Sequence, residues 1–199
     1  MTISATQVKE LREATGAGIL ECRKALEQHD GDFDKAVTYL REKGLAAAAK
    51  KAGRTAREGL VEVYSHGQGR VGVMLEVNCE TDFVARTEQF RVFVHDLALH
   101  VAAANPRYLD MADVPADVVE SEKTIARNRA IQEGRPEKAL DKIVSGRLDK
   151  FYQENCLAQQ PFVKDETLTV ADLLKQTIAT LGENVIIRRF ARWERGEVS

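Results

Sequence analysis

In Val71-Gly-Val-Met-Leu-Glu-Val-Asn-Cys-Glu-Thr-Asp-Phe-Val-Ala85 two periodicities meet. Val71, Val73, Leu75 and Val77 alternate with Gly72, Met74, Glu76 and Asn78, the period of two of a pleated strand with one face buried. Thr81 then has the residue type of a helix N-cap, and Asp82 stands where the positive end of the following helix favours an acid. The strand therefore ends against a helix start. Asp82 and Phe83 fall at that boundary, where an acid and an aromatic can be inserted into another molecule. Taken alone, an isolated Phe is more often core than site, because Phe is a commonly buried type. The surrounding chain has to supply the weight.

Upstream, Leu60-Val-Glu-Val-Tyr64 is patterned as a second strand, and His66-Gly-Gln-Gly-Arg70 between the two runs is a hairpin signal. Gly67-Gln-Gly-Arg-Val-Gly72 also matches G-x-G-x-x-G, but a dinucleotide site needs a helix start after the glycines to cradle pyrophosphate. A strand follows instead, so the glycines are assigned to the turn. Downstream, Phe90, Phe93, Val94, Leu97, Ala98 and Val101 keep the i, i+3, i+4 spacing of a strongly apolar helix suited to lying on a sheet, and Asn105-Pro106 stops it.

The same rules organise the rest. Ser4-Ala-Thr-Gln7 has the form of a capping box opening a helix over about residues 5–14, closed at Gly16-Ala-Gly18. Ile19, Cys22 and Leu26 fall on one face of a second helix, and Phe33, Ala36, Val37 and Leu40 mark a third after Asp30-Gly-Asp32. Residues 1–45 thus form a three-helix module too small to bury much surface. Residues 46–57, with Lys50, Lys51, Arg54 and Arg57, are expected as a polar helical tail or linker, and residues 58–199 as the core domain. Within the core, residues 117–132 and 136–155 are patterned as two helices meeting at Gly134-Arg-Pro136. Leu140, Ile143, Val144, Leu148 and Phe151 make a stripe on the second, and the first offers Val118, Val119, Ile125 and Ile131. A protruding antiparallel hairpin over residues 117–155 accounts for so narrow a seam. Thr169-Val-Ala-Asp172 starts a helix carrying Val170, Leu173, Leu174, Ile178 and Leu181, and Asn184 to Trp193 is patterned as a third strand. The fold class is α+β, a three-stranded antiparallel sheet packed with helices. Its exposed edges and face invite a second copy.

Chemistry is sparse. With 29 Lys and Arg against 31 Asp and Glu the net charge is -2, so no overall basic field points to nucleic acid. No apolar run approaches the ~20 residues of a membrane helix, and Met1-Thr-Ile-Ser-Ala-Thr lacks the pattern of a signal peptide, which points to the cytoplasm. Cys22, Cys79 and Cys156 contain no Cys-x-x-Cys and suggest neither a disulfide framework nor zinc. His95 and His100 lack the i, i+4 spacing of a helical metal pair, and His29 and His66 lie in turns. No nucleophile motif or P-loop is present. No catalytic residue, metal or cofactor is assigned, and the chain is not expected to be an enzyme.

Val8 to Gly18, Val77 to Ala85 and Gln160-Pro-Phe-Val-Lys-Asp165 resemble bacterial translation elongation factor Ts, the nucleotide-exchange factor of the GTPase EF-Tu. The resemblance extends through Cys22-Arg-Lys-Ala-Leu26, Lys50-Lys-Ala-Gly53, His100 to Pro106 and Gly182 to Arg189, in order along nearly the whole chain. It implies that the N-terminal helices are a ubiquitin-associated-like (UBA-like) module contacting EF-Tu through Arg12, Ile19 and Leu20. It also implies that Thr81, Asp82, Phe83 and Val84 disturb the Mg²⁺ and phosphate region of that partner, with His100 near the interface. The helical hairpin becomes a further docking surface. Longer family members carry two core subdomains and this chain has strands for one, so the resemblance to the short form implies a homodimer binding EF-Tu. The alternative is an RNA- or ribosome-binding accessory protein using Lys50 to Arg57 and Arg188, Arg189, Arg192 and Arg195. Its binding would fall steeply with salt.

Overall fold

A computed structural model of the chain describes residues 3–197. Its helices are α1 (Ala5–Thr15), α2 (Ile19–Gln28), α3 (Phe33–Lys51), α4 (Asp82–Ala85), α5 (Glu88–Ala104), α6 (Ala116–Gln132), α7 (Glu137–Asn155) and α8 (Val170–Leu181). Its strands are β1 (Glu58–His66), β2 (Val71–Cys79), β3 (Pro161–Phe162), β4 (Asp165–Thr169) and β5 (Ile186–Glu194). The fold is α+β, and β1, β2 and β5 form a three-stranded antiparallel sheet in that order. β3 and β4 make a second, two-stranded sheet that periodicity did not reveal. A strand of Pro161 and Phe162 is too short to alternate, and its proline brings no donor to the ladder.

The chain divides into two compact units. The first comprises Met1–Val61, Glu76–Val94 and Asp172–Arg188. In α1 the Ser4 hydroxyl accepts the Gln7 amide at 3.2 Å and the Gln7 side chain accepts the Ser4 amide at 3.0 Å, the reciprocal cap anticipated from Ser4-Ala-Thr-Gln7. Val8, Leu11, Cys22, Ala25, Leu26, Ala36 and Leu40 close a small core between α1, α2 and α3. Ile19, expected on the same face as Cys22 and Leu26, is 56% exposed. It opens α2 beside Gly18, one turn ahead of Cys22, and so overhangs the core. α3 continues through residues 46–51, burying Ala48, and the Lys51 ammonium reaches the Ile178 carbonyl of α8 at 3.4 Å.

Gly59 shows how tightly β1 and β2 are joined. Its φ is +138°, and a Cβ there would lie 2.1 Å from the Val77 carbonyl oxygen, so only glycine fits.

The second unit comprises Glu62–Leu75, His95–Ala171 and Arg189–Ser199. Gly67 and Gly69 take positive φ in the turn between β1 and β2, closed by the Arg70 amide on the His66 carbonyl at 3.0 Å. The glycines therefore serve the hairpin. α6 and α7 pack on each other through Ala126 and Ala130 against a stripe containing Leu140 and Val144, with Arg127 and Asp141 paired at 2.6 Å outside it. Of the four apolar residues read on α6, Val118 and Val119 are half-buried whereas Ile125 and Ile131 are exposed, and the buried positions of the helix are Ala126 and Ala130. Tyr108 bridges to Cys156 and the Arg107 amide bonds the Asn155 carbonyl at 2.8 Å, which ties the chain leading into α6 to the end of α7.

The α5 positions picked out by spacing, Phe90, Phe93, Val94, Leu97, Ala98 and Val101, are all buried, as are Val71, Val73, Leu75 and Val77 of β2. On the sheet, Val63, Met74 and Trp193 are exposed. Among the described residues no helix is long and apolar enough to cross a membrane.

Candidate partner-binding tip

β2 ends at Cys79, and two residues later Thr81 caps α4. The Thr81 hydroxyl accepts the Val84 amide at 3.4 Å, the capping role its residue type predicts. A helix of four residues has no independent stability, since nucleation alone exceeds what one turn returns. Its shape is imposed from outside. The Glu183 carboxylate, in the loop between α8 and β5, accepts the Glu80 amide at 3.1 Å, the Thr81 amide at 3.0 Å and the Thr81 hydroxyl at 2.6 Å. In return the Glu80 carboxylate accepts the Asn184 amide at 2.6 Å and lies 3.6 Å from the Arg54 guanidinium, while the Asn184 side chain donates to the Arg54 carbonyl at 2.8 Å. Glu183 thus holds the backbone of the turn, and Glu80 holds the residue that follows Glu183.

Beneath the turn, Cys79 is buried and donates to the Thr81 carbonyl at 3.2 Å. Burial, assisted by the Glu183 charge, pushes its thiol up to about 11, so it stays protonated and unreactive at neutral pH. Thr87 continues the chain into α5, its hydroxyl accepting the Phe90 amide at 3.3 Å.

On this scaffold Phe83 is 78% exposed. Val84 is partly buried, and Asp82 pairs with Arg86 at 2.8 Å across one turn. An aromatic displayed on a braced turn, rather than folded into the adjacent core, is suited to entering a pocket on another protein.

The comparisons with known proteins agree along nearly the whole length. The family model described as "Elongation factor TS" matches residues 6–197. The chain belongs to the elongation factor Ts family. An elongation factor Ts of Caldanaerobacter subterraneus subsp. tengcongensis is 62% identical over 195 residues, covering 98% of both chains. Those of Moorella thermoacetica and Acetivibrio thermocellus are each 58% identical over 195 residues, covering 98% of this chain and 96% and 91% of theirs. The role is that of elongation factor Ts, nucleotide exchange in translation.

The remaining residues assigned from the sequence fall in different surroundings. Arg12 on α1 is exposed, as are Ile19 and Leu20 at the start of α2, the last at 71%. Two adjacent large apolar side chains left in water mark a surface rather than a core. His100, in the second unit, is fully enclosed. Its Nε2 bonds the Gln160 side-chain oxygen at 3.0 Å, and its Nδ1 accepts the Val163 amide at 3.3 Å. The Gln160 amide nitrogen is committed to the Glu154 and Ala104 carbonyls at 2.9 and 3.3 Å, which turns its oxygen toward the imidazole. The ring is therefore neutral with its proton on Nε2, and burial lowers its pKa. His100 holds the start of the β3–β4 sheet in place, and its side chain is not at a surface.

Sequence reasoning missed Glu183 and Asn184. Gly182-Glu-Asn184 carried only the chain-long resemblance, with no spacing that links it to Thr81.

Proposed function

We propose that this member of the elongation factor Ts family binds EF-Tu carrying GDP and promotes GDP release by inserting Phe83 near the partner's Mg²⁺ and phosphate region, which favours reloading with GTP. The observation that carries this reading is Phe83 displayed at 78% exposure on a turn whose backbone amides are held by the Glu183 carboxylate. A P-loop GTPase holds its nucleotide through amides and a lysine on the phosphates and through the bridging Mg²⁺. A protein that binds the nucleotide-free form better than the loaded form weakens the nucleotide by the same factor that the nucleotide weakens it. Burying one Phe supplies ~1.5–3 kcal/mol, whereas inverting a 99:1 population takes ~5.5 kcal/mol, so further surfaces share the load. Arg12, Ile19 and Leu20 on the UBA-like module, and the α6–α7 hairpin with Ile125 and Ile131 exposed, are the surfaces assigned. Asp82 acts by repositioning or electrostatics once a partner group draws Arg86 away. His100 acts through the β3–β4 segment that it holds. The protein performs no bond chemistry of its own and works in the cytoplasm.

Exposed Val63, Met74 and Trp193 support a homodimer in which a second copy covers this part of the sheet. The native mass in solution tests this, and a monomer at micromolar concentration would end it. The RNA reading is weakened by the use the fold makes of its arginines. The Arg188 side chain bonds Asn78 at 3.0 Å, and Arg192 bonds the Ala102 carbonyl at 3.2 Å and Glu194 at 2.8 Å.

The experiment is release of fluorescent GDP from EF-Tu. Phe83→Ala is expected to slow catalysed release by ten- to a hundredfold while changing the melting temperature by less than 2 °C, because an exposed side chain adds little to folding. Wild-type release by this variant would overturn the proposal.

A further inference from the structure

We propose that Glu183 is a positioning residue for nucleotide exchange, holding the Thr81–Val84 turn in the shape that presents Phe83, an inference that rests on the role proposed above for Phe83. Three donors converge on this one carboxylate, the amides of Glu80 and Thr81 and the Thr81 hydroxyl, from a segment more than 100 residues away in the chain. Hydrogen bonds to a charged acceptor are shorter and stronger than neutral ones, and 2.6 Å is characteristic of that class. Glu183 also sets the polarity of the cap. Because Thr81 gives its single hydroxyl proton to Glu183, its lone pairs are left to receive the Val84 amide, the bond that starts α4.

Phe83 is mostly in solvent, so contacts of its own do little to hold it. Its direction follows the backbone of a one-turn helix that could not form by itself. Removing the carboxylate frees the Glu80 and Thr81 amides and lets the turn sample other shapes. A partner pocket must then order it on every encounter, at a cost in the step Phe83 serves. Encounter itself, made by surfaces elsewhere, is not touched. The return bracket, Glu80 to the Asn184 amide, keeps residues 183 and 184 in register with the turn.

The test is GDP release from EF-Tu loaded with a fluorescent GDP, using the full-length protein. Glu183→Ala is expected to lower the maximal release rate about tenfold, with less than a twofold change in the half-saturating concentration. Thr81→Val, which keeps both amide bonds to Glu183 and loses the hydroxyl, is expected to lower it threefold to fivefold. The double variant Glu183→Ala/Phe83→Ala should be no more than twofold slower than Phe83→Ala, because a residue acting through Phe83 has nothing further to lose once the ring is gone. A general structural defect would instead multiply the two losses, and that result overturns the inference. So does a wild-type maximal rate for Glu183→Ala. If that variant does not fold, Thr81→Val decides, and an unchanged rate refutes the proposal. Slow Phe83→Ala beside unaffected Glu183→Ala removes only the positioning role, whereas unaffected Phe83→Ala removes the reading it rests on.

Discussion

The Glu183 bracket and the His100 node solve one problem with opposite electrostatics. In each, a side chain accepts backbone amides from a remote segment and fixes an irregular piece of chain. Glu183 does so as an acceptor for a turn that displays Phe83, whereas His100 does so as a fully enclosed neutral ring in contact with Phe162, their ring centroids 5.9 Å apart. A charge can serve where water still relieves the cost of burying it. A fully enclosed site is restricted to a group that is neutral at physiological pH and yet offers both a donor and an acceptor. The first arrangement shapes a surface, and the second holds an interior together.

Substitutions can break this contrast, and the largest effect belongs to the enclosed node. His100→Ala leaves a cavity and orphans the Gln160 oxygen and the Val163 amide, so a loss of roughly 3 kcal/mol is expected. Chemical denaturation checks it, and a loss below ~1 kcal/mol would show that the two nodes are equivalent. Asn184→Ala, at a buried residue beside the bracket, removes a single side-chain bond, the one to the carbonyl of exposed Arg54, and should cost only about 1 kcal/mol by the same measurement.

A smaller effect separates the nodes by pH. Burial holds the His100 pKa below its unfolded value of about 6.5, so between the two values the unfolded chain binds the extra proton. The contribution is complete above about pH 6.5 and is lost as pH falls below it. The denaturation midpoint should therefore drop between pH 7.5 and 5.5, and His100→Gln should flatten that slope. The smallest change concerns the thiols. Cys79 and Cys156, both held at about 11, should resist a thiol reagent at pH 8 in the native protein and react on unfolding. Glu183→Gln should raise the reactivity of Cys79 alone, because its charge contributes to that shift and not to the one at Cys156.

What the sequence disclosed follows from the distance over which each signal acts. The buried face of α5, the alternation of β2, the Ser4 and Thr81 caps and the Gly67–Gly69 turn are each written within a few residues, and each was legible. The α6 contact was misjudged because hydrophobicity drew attention to Ile125 and Ile131, whereas close helix packing selected Ala126 and Ala130. Ile19 misled for the opposite reason, since periodicity gives the side of a helix but not where the core ends along it. Phe83 could be located from its neighbours, but its exposure depends on Glu183, and no local pattern joins residues 102 positions apart.

That separation has a consequence for synthesis. The chain emerges from the ribosome with Thr81 to Val84 long before Glu183, so the turn is made early and acquires its final shape late. A product truncated before residue 183 would carry every residue of the tip and lack the geometry that makes it work. Synthesis through residues 183 and 184 thus doubles as a check that only a chain carrying the bracket presents its aromatic correctly.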